Sequence, residues 1–125
     1  MKIEAQNLID YHCPRWNELP EIELYIDQVI CVLQNNLAIF LKEENTPVIT
    51  PNMINNYVKQ EVLMPPIKKK YSKTHLAYLF VICILKRLMS ISEINESIKS
   101  MKKSYSVEDG YNVFLSLIHI SEPTR

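Results

Sequence analysis

One stretch decides the fold of this chain, residues 50–89: TPNMINNYVKQEVLMPPIKKKYSKTHLAYLFVICILKRLM. Thr50 is a good N-cap, and Pro51 suits the first helical position because its missing N–H would be unpaired there anyway. Apolar residues then recur at helical spacing until two successive prolines forbid continuation. The sequence therefore predicts a helix over residues 51–61.

A basic segment and a second helix follow. Residues 67–71, IKKKY, form a short extended or hairpin-like segment that we interpret as a basic wing. Ser72 is the next N-cap. The helix that it opens has an apolar face, which comprises Leu76, Leu79, Phe80, Cys83, Ile84 and Leu88. This order of a helix, a basic hairpin and a buried helix over residues 50–89 is the layout of a winged helix-turn-helix, so nucleic-acid binding is the first hypothesis.

Charge is distributed unevenly along the chain. The formal net charge of zero hides three Lys/Arg against eight Asp/Glu in residues 1–51, ten against three in 52–103, and one against three in 104–125. A positive middle third is expected of a phosphate-binding face, although a solvated helix surface with spare lysines gives the same balance. With 125 residues, 47% of them hydrophobic and 22% charged, the composition predicts one domain with its own core.

The segments before the central stretch are also predicted to be helical. An N-terminal segment, 1–17, contains a short amphipathic pattern over Ile3–Tyr11. A helical domain, 18–114, begins with a long helix predicted over Pro20–Lys42, whose acidic start suits the helix dipole. Its apolar face must pack on residues 50–89 or on a partner chain, and it comprises Ile22, Ile26, Val29, Ile30, Leu33, Leu37, Phe40 and Leu41.

Two more helices complete the domain. Ser90 and Glu93 form a capping box that starts the first of them. A second start follows at residues 106–108, and that helix contains Tyr111 and Phe114. The fold class predicted from these patterns is all-α, a winged helix-turn-helix with a long amphipathic helix before it.

The last eleven residues, LSLIHISEPTR at 115–125, are similar in every position to the forward translation of a transposase sequencing adapter. We therefore expect the natural gene product to continue differently after Phe114. For this reason residues 115–125 are excluded from the prediction of the fold.

Neither a metal site nor an enzyme is predicted. Cys31 and Cys83 lie in apolar helical patterns, where free cysteine behaves as a small hydrophobe, and His12, Cys13 and His75 match no standard metal spacing. The chain also has no glycine-rich phosphate loop, no nucleophile–base arrangement and no paired carboxylates within an apolar frame. We expect a non-enzymatic protein without a cofactor or small-molecule effector.

A cytoplasmic location is expected. The odd cysteine count without a signal peptide favours a reducing cytoplasm. No targeting segment is evident at the N-terminus. The longest apolar run, 76–85, is too short to span a bilayer.

From Leu19 to Ile94 the chain resembles the bacterial domain-of-unknown-function family 1836 (DUF1836), through LPEIELYIDQV, TPNMINNYVKQ, PPIKKKYSKTHLAYL and SISEI. The family name confers no function. Within it, the stretch 50–94 is similar to the MerR-type DNA-binding domain of transcription regulators. In that group a recognition helix ending near a Tyr-Tyr pair leads to an LxP turn, an arginine wing and a Tyr-Ser cap. A Ser-x-x-Glu-Ile motif then opens the next helix.

The MerR resemblance implies roles for several residues. It places Asn56 and Tyr57 at the two tyrosine positions and Asn55 where the family usually has arginine. The wing arginines, the Tyr-Ser cap and the following helix start correspond to Lys69 and Lys70, Tyr71 and Ser72, and residues 90–94. The chain departs from the pattern in having no arginine or aromatic pair before Tyr57 and no evident short first helix before Thr50. The effector-sensing C-terminal segment of that group is absent or truncated.

Nine residues are the predicted DNA-binding set. Five lie on the polar face of the 51–61 helix, where Asn and Gln can bond two edges of adenine and lysine can reach guanine or phosphate. Four lysines in and beside the wing can neutralise phosphates or enter a minor groove. The set is Asn52, Asn55, Asn56, Lys59, Gln60, Lys68, Lys69, Lys70 and Lys73.

Double-stranded DNA is the expected partner, bound by a homodimer of the full-length protein. The alternative is a protein-interaction module that keeps the fold without DNA binding. The missing arginine and the long apolar helix favour this alternative.

Overall fold

The computed structural model describes residues 14–41 and 47–121. Within these ranges the chain forms a 3-10 turn at Trp16–Glu18 and five α-helices. The helices are α1 (Ile26–Leu41), α2 (Pro51–Lys59), α3 (Lys73–Leu85), α4 (Ile91–Ser104) and α5 (Val107–Ser121). The described part contains two isolated β-bridges but no extended β-strand. This confirms the all-α prediction. The helix predicted over Ile3–Tyr11 lies outside the described residues, as do His12 and Cys13.

Helix α3 lies at the centre of the core, and α1 and α5 pack against it. It is apolar on all sides, as expected of a helix surrounded by protein. The predicted face is buried except at one position, Leu88, whose side chain is 77% exposed. The prediction was wrong there because α3 ends at Leu85, so Leu88 lies in the following turn rather than on the helical stripe.

Helix α1 begins six residues later than predicted. Its stripe is confirmed at Val29, Leu33 and Leu37, which are fully buried. The side chains of Phe40 and Leu41 and the predicted helix end at Lys42 lie outside the described part of the chain. Ile22, however, precedes the helix and is 70% exposed. The helix cannot start at Pro20 because the backbone of Leu24 pairs with that of Tyr71 in an antiparallel bridge.

The three predicted N-caps are confirmed. The hydroxyls of Thr50, Ser72 and Ser90 accept the backbone N–H three residues on, at 3.2, 3.4 and 3.2 Å. Glu93 completes the predicted capping box, because its Oε1 accepts the N–H of Ser90 at 2.8 Å. Each cap satisfies a donor that a helix start leaves unpaired, and each is typically worth about 1 kcal/mol.

Helix α2 ends earlier than the predicted 51–61 range. Gln60 is its C-cap, and Glu61 has a left-handed backbone with φ 61°. The N–H of Glu61 donates to Val58 O and that of Val62 to Tyr57 O, both at 3.0 Å. These two bonds are the Schellman motif, whose left-handed position is usually glycine. The end was missed because glutamate gives no sequence signal for that conformation.

Helices α4 and α5 close the domain against the far side of α3. Ile94 and Tyr111 are buried, and Gly110 permits the close approach of the two helices. A Cβ at Gly110 would lie 3.1 Å from Met101 Cγ. Helix α5 continues into the adapter-like peptide and buries Leu115, which is 4% exposed. Leu115, the first residue of the segment excluded from the fold prediction, therefore packs in the core.

The two described cysteines differ. Cys83 is buried in the core, as predicted, whereas Cys31 is exposed on α1, contrary to the prediction. Neither forms a disulfide within the described residues. No helix in the described part of the chain is both long and apolar enough to cross a membrane.

Candidate nucleic-acid interface

Helix α2 presents a compact polar face to solvent. Ile54 and Tyr57 anchor the helix, because both side chains are buried on its inner side. On the outer side all five predicted residues are exposed: Asn52, Asn55, Asn56, Lys59 and Gln60. The structure therefore brings this half of the predicted set together on one surface.

Tyr57 is a structural anchor. Burial, and secondly the neighbouring Cys83 thiol, raise the pKa of Tyr57 above its ordinary value of 10.0, so the neutral phenol is favoured. Its carbonyl accepts the N–H groups of Val62 and Leu63, at 3.0 and 3.2 Å. The residue thus fixes both the inner face of α2 and the turn that follows it.

Residues 67–70 form a tight two-residue turn, which we call the basic hairpin. Ile67 and Lys70 exchange both backbone hydrogen bonds, at 3.1 and 2.9 Å. Between them Lys68 and Lys69 have φ 54° and 66°, and both side chains are exposed. Positive φ at both central residues is the requirement of a type I′ turn, which usually contains Asn-Gly. The predicted hairpin is confirmed, and its tip holds two lysines in a strained backbone.

The base of the basic hairpin is fixed by a pairing that the sequence analysis missed. The N–H of Leu24 donates to Tyr71 O at 2.9 Å, and the N–H of Tyr71 donates to Leu24 O at 2.7 Å. A signal was present, because Ile22, Leu24 and Ile26 alternate with polar residues in the manner of a short strand. Helical spacing over a longer window obscured it.

The other two predicted lysines lie against the N-terminal segment 14–25. Lys70 Nζ is 5.7 Å from the ring centroid of Tyr25. Lys73 Nζ donates to Glu21 Oε2 at 2.6 Å and lies 4.8 Å from the ring centroid of Trp16. The four lysines therefore divide into two that extend into solvent at the tip and two that contact aromatic rings at the base.

His75 has a structural role at the start of α3. Its Nδ1 accepts the N–H of Ser72 at 2.9 Å, and its Nε2 lies 3.1 Å from Pro65 O, so the pattern assigns the proton to Nε2. Both ring nitrogens are thereby used within the protein. In the described ranges no group of three His, Cys, Asp or Glu side chains is placed to hold a metal ion.

An open depression lies beside the α2 polar face. Four residues of that face line it, together with Met53, Val58 and Pro66; the four are Asn52, Asn55, Asn56 and Lys59. Pro66 is the residue before the basic hairpin, so the depression extends from α2 to the start of that turn.

A family model described as Domain of unknown function (DUF1836) matches residues 14–114. The match ends at Phe114, immediately before the adapter-like peptide. No curated protein and no solved structure matches the chain.

Proposed function

The chain belongs to the family described as Domain of unknown function (DUF1836), a description that assigns no activity, and we propose that it is a DNA-binding transcriptional regulator of the MerR-like winged helix-turn-helix type. The observation that carries the proposal is the exposure of the polar side chains on α2 and of the two lysines on the basic hairpin that follows it in the chain. The depression beside α2 extends to Pro66, the residue before that hairpin.

In this proposal α2 is the recognition helix. Its nine residues span about 14 Å, and the major groove of B-DNA, about 12 Å wide, admits one helix. Recognition helices contact base edges mainly from their N-terminal residues, and here Asn52 lies in the first turn while Asn55 and Asn56 lie at the middle of the helix. Amide side chains can bond adenine through two atoms at once, so these residues would supply sequence preference.

The basic hairpin is the proposed wing. Lys68 and Lys69 extend from its tip, and no ion pair among the described residues engages them. Lysines in this setting neutralise phosphates and fix the register of the helix without reading sequence. The hairpin itself, the capped start of α3 at Ser72 and the capped start of α4 at Ser90 follow the order of the MerR-type pattern. The chain departs from that pattern in lacking an arginine or aromatic pair before Tyr57. A further departure is α1, a longer helix than that pattern has before its recognition helix.

The test is a selection from random duplex DNA, followed by affinity measurements at several salt concentrations. Enrichment of a sequence is expected. The variant Lys68→Ala/Lys69→Ala should weaken binding to all sequences, and the slope of log affinity against log salt should become shallower by up to about 1.8. The matched control is Lys99→Ala/Lys103→Ala, which removes the same charge from exposed positions on α4.

Base reading is tested separately at Asn55. The substitution Asn55→Ala should cost roughly 1–3 kcal/mol at an enriched site and leave random duplexes nearly unaffected. Equal losses on both kinds of DNA would assign Asn55 to the phosphate backbone instead. Selection of no sequence, with weak binding that ignores the lysine changes, would reject the regulator proposal.

The second candidate is a protein-interaction module of the same fold. Two observations favour it: the side chain of Leu88 is exposed, and a separate groove lies between α3, α4 and α5. The groove has mainly apolar walls, including Val81, Leu85, Ile98, Met101 and Phe114. The long helix α1 no longer supports this candidate, because its apolar stripe is buried within the domain.

We also propose that the protein acts as a homodimer in the cytoplasm, without catalysis, a cofactor or a small-molecule effector. Two-fold symmetric regulators place two recognition helices about one DNA turn, roughly 34 Å, apart. Light scattering on the chain with its natural residues after Phe114 should give twice the monomer mass. A monomer both with and without DNA would contradict the dimer.

A further inference from the structure

Lys73, at the first position of α3, is enclosed on two sides. The ring of Trp16 lies 4.8 Å from its ammonium, and the carboxylate of Glu21 accepts a hydrogen bond from it at 2.6 Å. The side chain of Lys73 is only 13% exposed, whereas that of Glu21 is 80% exposed. The ammonium therefore has an aromatic ring on one side and a solvent-facing carboxylate on the other.

We propose that Glu21 is a built-in competitor for DNA, whose carboxylate occupies the place at Lys73 that a backbone phosphate takes in the complex. This inference rests on the proposed function and adds a regulatory contact to the same surface. A carboxylate and a phosphodiester both offer an anionic oxygen to an ammonium group at similar distance. One can therefore replace the other without a rearrangement of Lys73.

The surroundings of Lys73 suit such an exchange. An ion pair with a largely exposed partner is weak, so Glu21 is displaced at little cost. Trp16 attracts the ammonium whichever anion is present, because cation–π attraction depends on the ring and not on the anion. Trp16 is thus a positioning residue, and Glu21 is the exchangeable group.

Competition by Glu21 should change how the affinity for DNA depends on salt concentration. Added salt weakens the contact of Lys73 with phosphate, and it also weakens the competing pair with Glu21, so the two effects partly cancel. Without the carboxylate only the first effect remains. The substitution Glu21→Gln should therefore tighten binding to any duplex by about two- to five-fold, the range expected of a weak exposed pair. It should also steepen the salt slope by up to about 0.9.

A double-mutant cycle separates competition from general charge removal. Glu23, exposed on the same segment, is the matched control, because Glu23→Gln removes the same charge without touching Lys73. Binding of a fluorescent random-sequence duplex is measured for each glutamine variant, with Lys73 intact and in a Lys73→Met background. The gain from Glu21→Gln should vanish in that background, whereas the smaller gain from Glu23→Gln should persist.

A conservative variant guards against a folding artefact. Lys73→Arg keeps the charge, so the response to Glu21→Gln should be retained in it, and thermal unfolding of each variant confirms that it is folded. Equal gains from the two glutamine variants, or a gain from Glu21→Gln that survives Lys73→Met, would overturn the competitor while leaving DNA binding intact. Absence of salt-dependent duplex binding by the unsubstituted chain would overturn both proposals.

Discussion

Replacing the two lysines at the tip of the basic hairpin should change the stability of the domain and its proposed affinity for DNA in opposite directions. Lys68 and Lys69 have φ 54° and 66°, in the left-handed region that costs an ordinary side chain roughly 1–2 kcal/mol. A type I′ turn prefers Asn-Gly at these two positions. The variant Lys68→Asn/Lys69→Gly supplies that pair in the existing turn.

The variant should be more stable than the natural sequence. Asn-Gly relieves the backbone strain at two left-handed residues, but glycine loses more backbone entropy on folding. The net gain in the free energy of unfolding is about 1–2 kcal/mol. For a chain of this length the melting temperature should rise by about 4–8 °C. Its affinity for DNA should fall at the same time, because two phosphate contacts are lost.

Lys68→Ala/Lys69→Ala is the control, because it removes the same two charges but keeps a Cβ at both strained positions. Loss of like-charge repulsion is common to both variants. The difference between their melting temperatures therefore reports how much better Asn-Gly fits the left-handed turn than Ala-Ala does, after the entropy that glycine loses on folding. Calorimetry or circular dichroism measures both transitions. If the Asn-Gly variant melted no higher than the alanine variant, the argument from strain would fail.

Three further predictions concern stability. Glu61→Gly should raise the free energy of unfolding by about 1 kcal/mol in urea titrations, whereas Glu61→Ala, which retains a Cβ at φ 61°, should give little gain. Leu115→Ala should lower it by about 2–4 kcal/mol, and Leu117→Ala, at an exposed position of the same helix, should change it little. Because folding raises the pKa of Tyr57, its contribution to the free energy of unfolding is fully present below about pH 10 and is lost as the pH rises through the pKa of the folded state. The substitution Tyr57→Phe should therefore reduce the loss of stability at alkaline pH.

Local features of this fold were predictable from the sequence, because their causes lie within a few residues. Thr50, Ser72 and Ser90 satisfy amides only three positions away, so each cap is visible in the sequence. The exposed face of α2 follows in the same way from the helical spacing of Ile54 and Tyr57.

Features that depend on distant residues were not predictable. Lys73 and Glu21 are 52 positions apart, and no local pattern indicates that they pair. The late start of α1 depends on the bridge between Leu24 and Tyr71, two residues that are also far apart in sequence. The left-handed turn at the hairpin tip was missed for another reason, because lysine is not a residue that favours positive φ.

The N-terminal segment 14–25 is better regarded as part of the candidate interface than as a leader to α1. A two-residue hairpin is marginally stable by itself, and the basic hairpin has only one pair of backbone bonds of its own. The bridge to Leu24 and the rings of Trp16 and Tyr25 add contacts at its base. The segment therefore positions Lys70 and Lys73. In the proposed complex Glu21 would set how readily Lys73 is released to a phosphate.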